Sequence, residues 1–202
     1  MILSDKIKKL IMSQEILSKL SVNHIDDLSS SRNEPDWLKD YRKNSLSIYD
    51  DMPIETSPLY NKYTDAKKMS PSKVSLSTST TQTIPKFLEK RLGELENEIC
   101  IIQIGTNIYK INLPDDLKSK GLVISSISDA IKNDSELVKK SLEASNSKED
   151  KFTALNNAAF NSGIFIHIPR NLIVEKPIHF MICLSDDGHS TISRNIIFAD
   201  ES

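Results

Sequence analysis

The chain has 202 residues, 38% of them hydrophobic, and a formal net charge of -2. That is enough apolar material for one large or two small domains, and the charge balance provides no field to gather nucleic acid or an anionic membrane. No apolar run approaches a membrane span, the opening MILSDKIKKLIMSQEILSKL lacks a signal-peptide core, and two cysteines make no disulfide framework, so the expected setting is a reducing cytoplasm.

Leu3, Ile7, Leu10, Ile11, Leu17 and Leu20 fall on one helical stripe. With no aromatic residue and a modest positive face, this predicts a helix packed on its neighbours, not one lying on a membrane. After the polar break at 29–32, Pro35 at the first helical position and Asp36 in the first turn predict a second helix. Trp37, Leu38, Tyr41, Ser45, Ile48 and Tyr49 trace its inner face, with Trp37 in a packing role, and Met52-Pro53 ends it. The tract SPSKVSLSTSTTQT has almost no large apolar groups and cannot offset its ordering entropy, which predicts a mobile connector. Its lysines, Lys67, Lys68 and Lys73, lack interleaved aromatics and do not make a nucleic-acid tether.

Pro85 opens a short helix carrying Phe87, Leu88, Leu92 and Leu95. Ile99–Ile104 and Ile108–Leu113, joined by Gly105-Thr106-Asn107, predict a hairpin. A further extended run covers Gly121–Ile124. Ser126-x-x-Asp129 then fits a capping box, and Asn133 or Asp134 caps the next helix, which bears Leu137, Val138 and Leu142. From Phe152 to Ala159 the period is helical, and Asn161, Ser162 and Gly163 supply turn chemistry. Beyond that the period changes. Ile164, Ile166 and Ile168 alternate with Phe165 and His167, and further extended runs follow at 172–174, 178–184 and 191–199. A helix that hands over to nothing but strands predicts the lid and first rungs of a solenoid. The expected organisation is an N-terminal helical region at 1–63, a flexible linker at 64–83, a small α/β section at 84–150, and a capping helix with the start of a β-stack at 151–202.

Potential metal ligands concentrate near the end: His167, His179, Cys183, Asp186, Asp187 and His189. On a strand, His179 and Cys183 share a face but lie roughly 13 Å apart, too far to clamp one ion. No phosphate loop, zinc signature, nucleophile elbow or CxxC pair is present, and nothing places two carboxylates at one cleft. The residues point to no catalytic, cofactor-binding or metal-binding position.

Three stretches resemble one family. Lys151–Asp200, with FTALNNAAF, SGIFIHIPRNLIVEKPIHF and IIFADES, resembles the entry into the β-helix of the SufB/SufD family of iron–sulfur cluster assembly proteins. EPDWLKDYRKNSLSIYDDMP resembles a helix near the start of these proteins, and Gly121–Leu142 the run before the β-helix. The matches cover roughly half the chain, in the family's order. The resemblance implies an α+β fold in which a helical N-terminal region and a small α/β section lead into the first rungs of a right-handed parallel β-helix. It implies a non-catalytic scaffold subunit, partnered by a SufB- or SufD-like subunit and a SufC-type ATPase, with the cluster built at the interface between subunits. EKPIH at Glu175–His179 leans toward the SufD-like side, beside a common ancestral form of the two. Family members run to roughly twice this length, in the range of a long solenoid. Their cluster-building residues and SufC-binding helices lie in the later part, so no site residue carries over and no cofactor is expected in this segment. Neither Cys100 nor Cys183 matches a cluster cysteine. The expectation is an N-terminal portion with an unpaired β-edge open to self-association, without nucleic-acid or membrane partners. An autonomous protein-interaction module, or the opening of a β-helix carbohydrate-active enzyme, are the alternatives.

Overall fold

A computed structural model describes residues 20–53, 75–76, 84, 86–145, 148–184 and 189–200. The expected helix over 3–20 falls almost wholly outside them, as does most of the expected linker at 64–83. The elements in order begin with α1 (Val22–Arg32), α2 (Asp36–Asp51), β1 (Ser75–Leu76), α3 (Lys86–Glu94), β2 (Ile99–Ile104), β3 (Asn107–Asn112) and α4 (Asp115–Ser119). They continue with β4 (Val123–Ser126), α5 (Ile127–Asn133), α6 (Ser135–Glu143), α7 (Lys151–Ala159), β5 (Ile164–Ile168), β6 (Ile178–Cys183), β7 (His189–Ser190) and β8 (Ile196–Ala199). They group into two compact units. One holds α1, α2, β1, α7 and β7, and the other holds the remaining elements.

In the first unit α1 ends at Asn33, whose left-handed backbone (φ 52) lets its N–H reach the carbonyls of Ser29 and Ser30. Pro35 is extended (ψ 152) and sits one residue before α2, with Asp36 in the favourable first turn. Leu38, Arg42, Ser45, Leu46 and Tyr49 are the buried residues of α2. Trp37, Tyr41 and Ile48 are only half-buried. Against α2 packs α7. Its Asp150 cap accepts from Phe152 N at 2.7 Å and Thr153 N at 2.9 Å, an arrangement worth about 1 kcal/mol. Ala154 and Ala158 are fully buried, whereas Phe152 points outward. β1 and β7 pair in parallel, Ser75 with His189 and Leu76 with Ser190.

The second unit is built on β2, whose six residues are all buried. Its two faces serve two cores. Cys100, Ile102 and Ile104 pack with Leu88 and Leu95 of the α3 region and with Cys183. Ile99 and Ile101 pack with Leu122, Ile124, Ile164 and Ile166. The strand orders are β3-β2-β6 and β4-β5-β8, and these two sheets face each other across the second core. A strand covered on both faces is expected to be continuously apolar, as ICII is.

The hairpin forms, with a shorter loop than expected: Asn107 pairs with Ile104, leaving Gly105 and Thr106 as the turn, and a bulge falls between Ile102 and Gln103. Gly105 takes φ 58, the sign a two-residue hairpin loop requires. The Ser126 cap also forms, its Oγ accepting from Asp129 N at 3.0 Å.

The architecture is α+β, as the resemblance implies. The described residues form no stack of closed coils, because the two-residue turn folds β3 back antiparallel on β2 and β4 runs antiparallel to β5. The result, among the described residues, is two mixed three-stranded sheets. Two ladders are parallel, β2 with β6 and β5 with β8. No helix among the described residues is long and apolar enough to cross a membrane.

Candidate functional site

Sequence reasoning missed the buried cations of the first unit. Arg42 is fully buried, and its Nε and Nη2 each donate to a Glu34 carboxylate oxygen at 2.8 Å. Its Nη1 donates to Ala158 O at 3.1 Å, and the guanidinium lies 3.9 Å from the centre of the Phe160 ring. Lys151 is almost as buried, donating to Tyr49 O and Met52 O at 2.6 Å each. Burial pulls the Lys151 pKa down, opposed by the nearby Asp50. Burial pushes the Tyr49 phenol up to about 12, with Asp50 adding to the rise. Asp26, bridged to Lys39 at 2.8 Å and Lys43 at 2.9 Å, is held below the ordinary carboxylate range by those two ammonium groups. Each buried cation ends on an anion or a carbonyl, which is packing chemistry. The signal for Arg42 is its place in the helical stripe that buries Leu38, Ser45, Leu46 and Tyr49.

The side chains weighed as ligands are dispersed. His167 Nε2 lies 3.1 Å from Asp200 Oδ2, and its ring meets Phe198 at 5.7 Å between centroids. His179 sits beside Cys100 in the β2–β6 register, four positions from the Ile104–Cys183 pair. Cys183 is buried in the core under α3, and His189 belongs to β7 in the other unit. Asp186 and Asp187 lie outside the described residues. Among the described residues no three His, Cys, Asp or Glu side chains group closely enough to hold a metal ion. Strand β6 has a core on each face. Met181 and Cys183 pack into one core and Ile178 and Phe180 into the other, because β2 beside them has a core on each face.

What the sequence does bring together is a parallel ladder at the start of β5 and β8. Asn161, fully buried, donates its N–H to Ile192 O at 2.9 Å and accepts from Ile192 N on Oδ1 at 2.8 Å. Arg194 N donates to Ser162 O at 2.9 Å, and Ile164 N donates to Asn195 Oδ1 at 3.2 Å. The strands then pair from Phe165–Ile196 to Ile168–Ala199, and Asp200 N closes the ladder on Ile168 O at 3.0 Å. Gly163 makes the approach possible. Its φ is 140, and a Cβ there would stand 1.9 Å from Arg194 O.

At the other side of these ladders the strands end their sheets. Among the described residues β6 and β8 are terminal in the two orders, and since β3 lies against β4, they fall on the same side. Ile182 is 47% exposed, Leu184 57% and Ile197 67%. The parallel registers put Ile182 on the face of Ile101 and Ile197 on the face of Ile166, so both look between the sheets. Backbone edges and apolar side chains are the chemistry of polypeptide contact.

The comparisons with known proteins agree with the motifs. The profile of the SufBD protein N-terminal region matches residues 30–180. An iron–sulfur cluster assembly SufBD family protein of Staphylococcus aureus (strain USA300) is 26% identical over 194 residues, covering 90% of this chain and 42% of the relative. The iron–sulfur cluster assembly protein SufD of Bacillus subtilis (strain 168) is 27% identical over 192 residues, covering 91% of this chain and 44% of the relative. The chain therefore spans less than half the length of these relatives, and it belongs to the SufBD family, over that family's N-terminal region.

Proposed function

We propose that this chain serves iron–sulfur cluster assembly as part of a scaffold subunit of SufD-like type, non-catalytic by itself. The observation that carries this is the profile match over residues 30–180, with SufD of Bacillus subtilis among the relatives. The arrangement is suited to such a role, since buried charges are committed to packing and the candidate surface consists of strand edges. In this reading β5, β6 and β8 form the opening turn of a right-handed parallel β-helix. Support comes from the 31-residue spacing that joins Asn161 to Ile192 and Ile164 to Asn195, together with the parallel pairing of β5 with β8. The partners are a SufB- or SufD-like subunit and a SufC-type ATPase in the cytoplasm. The cluster is cargo of that assembly, and this segment contributes no ligand to it.

Co-expression of the chain with a SufB-like subunit and a SufC-type ATPase, followed by affinity purification, tests the reading. Retention of the SufB-like subunit in fixed stoichiometry supports it. Recovery of the chain alone, with the other two proteins associated with each other, overturns a partner contact within this segment.

A further inference from the structure

We draw no further inference here: the strongest candidate, the surface patch at Ile173 in the connection from β5 to β6, 78% exposed between Leu172 and Val174 of the second core, carries nothing because nothing in the structure shows what covers it.

Discussion

Arg42 and Lys151 hold α2 and α7 together from opposite directions: Arg42 of α2 donates to Ala158 O at the end of α7, and Lys151 of α7 donates to Met52 O at the end of α2. Each helix thus supplies a buried cation to the other's C-terminal carbonyls, where the partial negative charge of a helix collects. The Glu34 carboxylate balances only one of them, and it is itself buried, with 4% of its side chain exposed. Replacing Arg42 by Leu leaves that carboxylate without its partner, and the expected loss is about 3–5 kcal/mol. The double variant Arg42→Leu with Glu34→Gln recovers much of it. Urea denaturation of the three proteins checks this, and equal losses in the single and double variants would remove Glu34 from the account.

Glycines 93 and 163 are predicted to respond oppositely to alanine. Nothing lies within 4 Å of a Cβ built on Gly93, which is in α3, so Gly93→Ala stabilises by about 0.5–1 kcal/mol. Gly163→Ala meets the Arg194 carbonyl at 1.9 Å and also has to hold φ 140. It destabilises by well over about 1 kcal/mol and speeds amide exchange in β8. Thermal unfolding with exchange mass spectrometry distinguishes the two.

The alkaline limb of stability is predicted to depend on Tyr49. Its folded pKa is raised to about 12 from an ordinary 10.0, so its contribution is full below pH 10 and is lost as pH rises through 12. Two pKa units correspond to at most about 2.7 kcal/mol. Lys151, lowered by burial, works the other way, adding stability as pH climbs toward its unfolded value. The Tyr49 hydroxyl is buried without a hydrogen-bond partner among the described residues. Tyr49→Phe therefore changes stability little at neutral pH and flattens the decline above pH 10. A variant that declines as steeply as the parent would show that the phenol does not titrate in the folded state as described.

Anaerobic reconstitution with iron and sulfide is expected to leave this chain without a stoichiometric cluster. Cys100 and Cys183 lie four register positions apart on neighbouring parallel strands, about 13 Å along them, and both are buried in the same apolar core. Visible absorption with iron and sulfide analysis decides the matter. A stable chromophore that disappears in Cys183→Ala would require the core under α3 to open.

Local chemistry was legible in the sequence wherever a short-range rule governed it. Ser126 caps α5, Asp36 begins α2, and Gly105 turns the hairpin, because each answers to neighbours within a few residues. Long-range partners were not. Arg42 lies on the inner stripe of α2, and the compensating groups at Glu34, Ala158 and Phe160 are visible only after folding. Phe152 shares the helical period of α7 yet faces out, while Lys151 beside it is buried on carbonyls. In β6, Met181 and Cys183 turn to one core and Ile178 and Phe180 to the other, because the core on each face of β2 extends to its neighbour. The candidate surface was half visible, in the uncharged strands IHFMIC and IIFA. Their shared side of the unit depends on strand order, which periodicity does not encode.

The grouping into two units has a consequence for how the molecule can be divided. Each unit is assembled from three separate stretches of sequence, interleaved along the chain. No single cut yields either one intact, and a fragment beginning at α3 would lack α2, against which α7 packs. Neither unit can complete itself on a ribosome before nearly all of the described sequence has emerged. Closing such long loops makes for slow, cooperative folding. Limited digestion should therefore give nicked molecules that hold together rather than two separable halves.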